Sequence, residues 1–443
     1  MKANKGRKTL SLAAVISALL ALLMLASCAL TATTVAPGEE TYEYKDGEIK
    51  GSGKSGGGLF DKATGLFYGK KSMGRMDEEA LSDGDIAYDD FDSDEQIGAG
   101  TLTAGEWKDL ADISAWKKLI NENNWYKIAE DRKLFTDKII KVTLKDGDAA
   151  VFSEKVELLD GDKVIYSAKS NINGEAFLLY NINTKNDTPD AVRVAGKTYE
   201  LGNSGELTIE ASDAGIKCDK LDLMLMIDTT GSMGDELEYI KVELSDMVKR
   251  VAEANEALSI RVSVNFYRDE GDEYVVRYYD FRQDINECVA QIEAEHAEGG
   301  GDYPEAVHTA LDNAVKGHQW RADACKLCFF VLDAPPHSEE DIKGINKQLT
   351  ESLMKASEAG IRIIPVASSG VDQETEYILR SFAVMTGGTY IFLTNDSGIG
   401  GDHLDPTVGD HDIEPLNECM IRVVMENLGL EYKAPVNQQI DGQ

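Results

Sequence analysis

The second half of the chain alternates apolar runs with amphipathic stretches, and this alternation constrains the fold more than any other feature. The apolar runs lie at 221–227, 259–266, 327–332, 361–366 and 389–393. Residues 274–281 are a predicted edge strand. Helical periodicity occurs between them, at 235–254, 284–296, 304–316, 339–359, 373–386 and 414–428. Continuous apolar runs indicate strands that are buried on both faces. The pattern therefore predicts an α/β fold with a doubly wound parallel sheet over residues 218–430.

Oxygen-bearing side chains follow the predicted strands at the points where ligands bind in such a sheet. Asp228, Thr230 and Ser232 come directly after the first strand, and Asp333 follows the strand at 327–332. Asp302 lies in a glycine-rich loop just before the helix predicted from 304. Because these loops open at the carboxyl edge of the sheet, we expect the side chains to converge. Carboxylates and hydroxyls suit a hard cation, so we predict a site for Mg²⁺, Ca²⁺ or Mn²⁺.

The spacing of these residues resembles the metal-ion-dependent adhesion site of the von Willebrand factor A (integrin I-like) family. That site begins D-x-S-x-S, and this chain has Asp228, Thr230 and Ser232 in those places, with Asp333 matching the later aspartate. The resemblance covers residues 218–430. It implies a Rossmann-like domain whose bound cation is one oxygen ligand short, and a partner protein or extracellular ligand that supplies this oxygen.

Asp302 departs from the family pattern, in which this loop usually supplies a threonine. A third carboxylate leaves a divalent site with a net charge of about −1, which weakens its attraction for an acidic ligand. Two interpretations stay open: Asp302 accepts hydrogen bonds without binding the cation directly, or the site mainly holds the fold and prefers a neutral or backbone-carbonyl ligand. Glu305 is the other acidic residue close by in the sequence.

The first 28 residues read as a lipoprotein signal sequence. A basic start is followed by an apolar run from Leu10 to Leu25, which is short for a membrane span. The run ends in Leu25-Ala26-Ser27-Cys28, which resembles a bacterial lipobox. The resemblance implies cleavage before Cys28, lipid attachment to its thiol, and an extracytoplasmic, membrane-anchored location.

Between the signal sequence and residue 218 we predict three segments. Residues 29–100 are rich in glycine and acidic residues and read as a flexible tether. Residues 101–135 carry Trp107, Trp116 and Trp125 in a predicted helical region that packs on the next domain. Residues 136–212 alternate with period two, which predicts a small antiparallel β-sandwich. This part resembles the carboxypeptidase-regulatory-like or transthyretin-like family, whose modules usually act as spacers, and residues 431–443 read as a tail.

The net charge argues against one class of partner, and the cysteine content bears on disulfide and redox chemistry. The formal charge of −34 argues against a nucleic-acid partner, because such binding depends on lysine and arginine at the phosphates. Five cysteines remain after Cys28, an odd count that cannot pair completely within one chain. Cys325 and Cys328 form a C-x-x-C at a predicted buried strand, where structural thiols are favoured over a redox motif.

Three histidines raise the question of a second cation site. His403 and His411 lie in the acidic loop at 402–412, and His337 follows Asp333 closely. Loop histidines are more often not metal ligands, so the second site stays an open alternative.

The sequence therefore favours a cell-surface binding module, not an enzyme. Two alternatives stay open: a scaffold subunit of an envelope complex with a purely structural metal, and, less favoured, a metal-dependent hydrolase.

Overall fold

A computed structural model describes residues 46–50 and 97–434, apart from residues 123, 184–185, 203, 212–217 and 255–256. The predicted signal sequence with Cys28, most of the predicted tether and residues 435–443 lie outside the described residues. Within the described part of the chain, no helix is long and apolar enough to cross a membrane.

The described strands are, in chain order, β1 (Gly47–Ile49), β2 (Thr103–Trp107), β3 (Ile139–Asp146), β4 (Ala149–Ala150), β5 (Lys155–Asp160), β6 (Lys163–Lys169), β7 (Glu175–Leu179), β8 (Ala191–Val194), β9 (Lys197–Glu200), β10 (Glu206–Glu210), β11 (Lys220–Asp228), β12 (Ser259–Tyr267), β13 (Val276–Tyr278), β14 (Cys325–Leu332), β15 (Ile361–Ala367), β16 (Tyr390–Leu393) and β17 (Ile413–Pro415).

The described α-helices are α1 (Ile113–Glu122), α2 (Trp125–Arg132), α3 (Leu237–Ala254), α4 (Ile285–Ala294), α5 (Val307–Lys316), α6 (Ile345–Ala359), α7 (Gln373–Thr386) and α8 (Leu416–Leu428). Short 3-10 helices lie at Asp109–Ala111, Gly231–Asp235 and Asn395–Ser397.

A large, mostly parallel sheet organises the C-terminal half, and the α/β prediction is confirmed. Its strand order is β1-β13-β12-β11-β14-β15-β16-β2-β17. The neighbours from β12 to β16 pair in parallel, and β13 is antiparallel to β12. Helices cover both faces, and β14 is buried along its whole length, as a continuous apolar run requires. Aspartates begin two of the helices: Asp284 accepts from the first amides of α4, and Asp372 does so for α7.

Two strands from upstream of residue 218 complete this sheet and correct the predictions made for them. Thr103–Trp107 was predicted to be helical but is strand β2, which pairs with β16 so that Trp107 lies opposite Tyr390. Glycine at position 105 permits the close approach of the Phe392 ring, because a Cβ there would stand 2.5 Å from this ring. Gly47–Ile49, predicted as flexible tether, is strand β1 against β13.

Helices α1 and α2 pack on α7 of the large sheet domain through Trp116 and Trp125. The Trp116 ring stacks on Tyr377 at 6.2 Å between centroids, and Trp125 meets the same ring edge-on at 5.6 Å. Arg380 lies over both indoles and pairs with Asp109, so its charge is neutralised inside the cluster.

Residues 139–210 form the predicted sandwich, with one difference in pairing. Its two four-stranded sheets have the orders β10-β3-β4, with β7 on β3, and β6-β5-β8-β9. The pair β10 with β3 is parallel, whereas an all-antiparallel sandwich was expected. Parallel pairing of β3 with β10 is possible because the chain passes through the second sheet between these two strands.

The sandwich shares a hydrophobic core with the large sheet domain. One continuous cluster of buried side chains includes Val192 of the sandwich and Phe382 of α7. The Tyr166 hydroxyl donates to the carbonyl oxygen of Met385 at 2.6 Å. Because Met385 lies at the end of α7 that leads into β16, the sandwich packs at the amino edge of the sheet and leaves the carboxyl edge to the loops.

Candidate metal centre

The first loop at the carboxyl edge begins with Asp228, the last residue of β11, whose side chain is fully buried. Thr230 holds this carboxylate twice, since its backbone N–H donates to Asp228 Oδ1 at 2.9 Å and its hydroxyl donates to the same atom at 2.7 Å. The Thr230 hydroxyl also lies 3.1 Å from that of Ser232. The predicted D-x-T-x-S residues therefore form one hydrogen-bonded cluster.

Asp333 reaches this cluster from the neighbouring strand. It follows β14, which pairs in parallel with β11 so that Val331 lies opposite Ile227. Two strands in this register end side by side, and the Ser232 side chain lies close enough to Asp333 to offset part of the pKa rise caused by burial. Four of the five residues predicted to bind the cation are thus brought together: Asp228, Thr230, Ser232 and Asp333.

The third loop contributes Glu305 to the buried cluster, whereas Asp302 lies at its exposed surface. Glu305 is 3% exposed, and its backbone N–H donates to the carbonyl oxygen of Pro335 at 3.0 Å. Asp302 is exposed, and no described hydrogen bond joins it to the other predicted residues. The apolar pair Ala306-Val307 was the available sequence signal, because it draws Glu305 into the interior at the start of α5.

Glycines permit the close approach of these loops. A Cβ on Gly300, whose φ is +73°, would stand 3.0 Å from Glu305 Oε1 and 3.4 Å from the Thr230 Cβ. The carbonyl oxygen of neighbouring Gly299 accepts from the Gly231 N–H at 3.2 Å. Glycine is therefore needed here both for its positive φ and for its lack of a side chain.

Three carboxyl groups of the cluster are buried without a full set of donors. Asp228 Oδ2, Asp333 Oδ1 and Glu305 Oε2 have no hydrogen-bond partner among the described groups, and the buried Tyr267 hydroxyl, which also has none, lies close enough to Asp228 to offset part of the pKa rise caused by burial. Burial raises the pKa of Asp228 and of Asp333 above the usual range, and the Asp228 charge adds to the effect on Asp333. Burial, followed by the charges of Asp228, Asp269 and Asp333, raises the pKa of Glu305 to about 10.

A hydrogen-bonded chain connects the loops around the cluster. His337 Nε2 lies 2.6 Å from Asp269 Oδ1, and this hydrogen bond raises the pKa of His337. The N–H of Asp269 donates to Asp272 Oδ2, which also accepts from the Gly300 N–H at 2.9 Å. On the other side, Arg132 of α2 donates to backbone carbonyls at 336 and 337. The loop that contains His337 is therefore held by hydrogen bonds to Asp269 on one side and to Arg132 on the other.

The structure does not bring the histidines at 402–412 together as a second cation site. His403 turns inward, where its Nε2 lies 2.8 Å from Glu236 Oε1 and its Nδ1 lies 3.0 Å from Asn395 Oδ1. His411 packs edge-on against Phe392 instead. Among the described residues, no three His, Cys, Asp or Glu side chains are grouped to hold a metal ion.

The donor set at the carboxyl edge still fits a hard cation, because it combines two carboxylates with two hydroxyls. Asp228 and Asp333 each present an oxygen without a partner, and Thr230 and Ser232 add neutral oxygens next to them. A divalent cation would compensate the cost of burying these anionic oxygens. Glu305 lies beside this set, close enough for the two aspartate charges to raise its pKa.

Comparison with known proteins identifies the part of the chain that carries this site. Residues 222–395 match the family model described as von Willebrand factor A domain. A putative ariadne-like RING finger protein of Acanthamoeba polyphaga mimivirus is 29% identical over 126 residues, covering 28% of this chain and 12% of that protein. The alpha-protein kinase vwkA of Dictyostelium discoideum is 33% identical over 132 residues, covering 27% and 19%.

The chain thus spans less than a fifth of the length of either relative. Among solved structures, the conserved hypothetical protein BatB from Bacteroides thetaiotaomicron aligns at 11% identity with a TM-score of 0.32, covering 47% of this chain and 99% of that one.

Proposed function

Since residues 222–395 of this chain form a von Willebrand factor A domain, we propose that the protein is a binding module that captures a partner through a divalent cation. Asp228, Thr230, Ser232 and Asp333 would hold the cation, and a partner protein or extracellular ligand would supply a further oxygen. When bound, the cation would act as an electrostatic bridge between the buried carboxylates and the partner.

The observation that carries this proposal is the pair of buried carboxylate oxygens that lack a hydrogen-bond partner, Asp228 Oδ2 and Asp333 Oδ1, with only the neutral Tyr267 hydroxyl close to Asp228. Buried polar atoms in native proteins almost always have partners, so unpaired anionic oxygens at a loop edge call for a ligand. The charged groups that act most strongly on the pKa values of Glu305 and Asp333 are other carboxylates. An internal ion pair would instead place a positive charge beside them. An all-oxygen set favours Mg²⁺, Ca²⁺ or Mn²⁺ over softer metals.

The arrangement of the domains supports a role in binding. The sandwich packs at the amino edge of the sheet, at the ends of α6 and α7, and so leaves the carboxyl edge clear. A partner can reach the cation without displacing the sandwich. In the proposed setting Cys28 carries a lipid, and the module faces outward from a bacterial membrane.

Calorimetric titration of the full chain with Mg²⁺, Ca²⁺ and Mn²⁺ tests the metal centre. We expect saturable binding of at least one ion by the wild type and its loss in Asp228→Ala. Asp402→Ala is the matched control, because it removes an exposed carboxylate from a neighbouring loop. Absence of saturable binding for all three ions would overturn the proposed centre.

Cross-linking on intact cells, followed by mass spectrometry, tests the binding role. A partner captured by the wild type should be lost in Asp228→Ala and after chelation of divalent ions. Capture of the same partner by both proteins would instead indicate a scaffold whose metal is structural. Incorporation of a labelled fatty acid by the wild type, and not by Cys28→Ser, tests the anchor separately.

A further inference from the structure

A cleft of about 400 Å³ lies where the sandwich meets the amino edge of the large sheet. Its lining includes Phe177 of β7, Arg362 at the start of β15, and Gly388 and Thr389 just before β16. Small-molecule sites in proteins have volumes of about 300 Å³ and more. The candidate metal centre is at the opposite edge of the sheet, so the proposed cation binding gives no role to this cleft.

Arg362 is buried in the wall of this cleft without a carboxylate partner. The residue is 5% exposed, and its described side-chain hydrogen bond is a long one, from Nη1 to the Cys325 sulfur at 4.0 Å. No ion pair among the described residues includes Arg362, whereas Arg380, which is also buried, pairs with Asp109. A buried guanidinium normally has anionic partners, because an unpaired charge in the interior is costly. Arg362 therefore has donor groups without a described acceptor.

Two further cationic side chains lie next to Arg362. Lys169 and Arg362 line a smaller cavity that shares lining residues with the cleft. Lys169 Nζ and Lys326 Nζ donate to the same carbonyl oxygen, that of Ala322, at 3.2 and 3.3 Å. Burial, followed by the charge of Lys169, lowers the pKa of Lys326 to about 8, and the Arg362 charge acts in the same direction. In the described part of the chain none of these three cations pairs with a carboxylate, although the net charge of the chain is −34.

The acidic side chains of the cleft are already paired with other groups. Each of those in the described lining has a cationic partner: Glu106 pairs with Arg422, Glu175 with Lys141 and Glu426 with Lys108. Their charges disfavour a ligand with two negative charges, such as a phosphate ester. A single carboxylate fits better, because its two oxygens match the planar guanidinium fork and it adds only one negative charge.

We propose that the cleft binds a small organic molecule with one carboxylate and an apolar body. Arg362 donates to both carboxylate oxygens, and the apolar body packs on Leu110, Ile172 and Phe177, which line the same cleft. The ligand supplies the negative charge that buried Arg362 lacks within the described chain, so binding stabilises the folded protein. Because the lining side chains come from the sandwich and from the large sheet domain, the ligand also joins these two parts.

Calorimetric titration of the full chain with hexanoate and with hexanamide tests this inference. The two molecules have the same apolar body, and hexanamide lacks the charge. We expect saturable binding of hexanoate, a rise in melting temperature when hexanoate is added, and neither effect with hexanamide. Leucine and inorganic phosphate are titrated in parallel. Binding of leucine would support the inference and identify an amino acid as the ligand, since leucine carries an ammonium group beside its carboxylate.

Arg362→Met is the variant that tests the assigned residue, and Lys347→Met is its matched control. Methionine is an unbranched side chain without charge, and Lys347 is an exposed cation of α6. Arg362→Met should bind hexanoate more weakly by about tenfold or more, because it loses a charged hydrogen bond. Without ligand its melting temperature should equal or exceed that of the wild type, since an unpaired buried charge has been removed. Lys347→Met should match the wild type in both measurements.

Three results would overturn the inference: no saturable binding of hexanoate or leucine by the wild type, equal affinity of the wild type and Arg362→Met for hexanoate, or tighter binding of phosphate than of hexanoate. If Arg362→Met fails to fold, the comparison of hexanoate with hexanamide on the wild type still decides, since equal binding of the two excludes a carboxylate site. These titrations contain no divalent cation, so their failure would leave the proposed metal centre standing.

Discussion

Arg132 and His337 are joined by a 2.7 Å hydrogen bond from the Arg132 guanidinium to the carbonyl oxygen of His337. The same nitrogen donates to the carbonyl oxygen of Pro336 at 2.9 Å, and Arg132 also pairs with Glu374. Arg132 lies in α2, ahead of the sandwich, whereas His337 belongs to the loop that follows Asp333. A helix outside the A domain therefore holds one side of the candidate metal centre.

Replacement of Arg132 by methionine should weaken both the fold and the cation site. Two buried carbonyl groups would lose their donor, which costs about 1–3 kcal/mol each where no water replaces it. Thermal unfolding should show the loss, and titration with Mg²⁺ should show weaker binding. Lys127→Met is the matched control, because it removes an exposed positive charge from the same helix. Equal effects of the two variants would contradict the proposed role of Arg132.

Glu305→Gln should reduce cation affinity by about tenfold or more, or about 1.4 kcal/mol, because it removes a carboxyl group beside the bound charge. Without cation its melting temperature should change little, since a pKa of about 10 keeps Glu305 neutral at pH 7 and glutamine has a similar shape. Asp302→Asn should change affinity far less, because the exposed Asp302 is screened by solvent. A larger effect of Asp302→Asn than of Glu305→Gln in the same titration would support the sequence-based prediction that Asp302 belongs to the cation site.

Gly300→Ala should destabilise the loop, whereas Gly301→Ala should not. A Cβ at Gly300 would press on Glu305 Oε1 at 3.0 Å from a backbone with φ of +73°, while a Cβ at Gly301 meets no atom within 4 Å. The unfavourable φ alone costs about 1–2 kcal/mol. Differential scanning calorimetry of the two variants measures the difference, and similar melting temperatures would show that the loop relaxes freely.

A fragment that begins at residue 218 should be less stable than one that begins at residue 97. The shorter fragment loses β2, which pairs with β16, and uncovers the surface on which Trp116 and Trp125 pack. Exposed strand edges and apolar surface favour aggregation. We expect a lower melting temperature and lower solubility for the shorter fragment, and equal values would mean that the A domain folds independently of these elements.

Acid should destabilise the protein partly through His318. Burial lowers the pKa of His318 to about 4, and its ring packs edge-on against Tyr278 and Phe281. The folded protein therefore holds His318 neutral, and its contribution to stability is complete above about pH 6.5 and is lost as the pH falls toward 4. The loss approaches about 3 kcal/mol at the acid end.

Denaturant unfolding between pH 7 and pH 4 should show this loss in the wild type. His318→Gln should lose less stability over the same range, because glutamine does not titrate. Exposed His296→Gln is the control and should follow the wild-type profile. Identical pH profiles for all three proteins would exclude His318 as a source of the acid sensitivity.

Local sequence patterns were sufficient for the strands and α-helices of the large sheet domain from β11 to β16, but not for β1, β2 and β17 of the same sheet. The predicted helices and strands lie within three residues of those observed, except that α6 begins at Ile345, six residues after its predicted start, and α7 was predicted with its observed bounds of 373–386. The same patterns brought Asp228 and Asp333 to one edge, because neighbouring parallel strands end side by side. These features depend on periodicity and strand direction, which short stretches of sequence determine.

Other features depended on contacts between distant residues. Asp302 and Glu305 are acidic residues three positions apart, and of the two Glu305 is buried, where its N–H donates to the carbonyl oxygen of Pro335 and its Oε1 lies against Gly300. Strand β2 pairs with β16, which lies almost 290 residues later in the chain. The sequence by itself determined which elements form and where strands end, because those depend on local periodicity. Only the tertiary structure decided which side chains meet, because that depends on close packing between segments that are far apart in the chain.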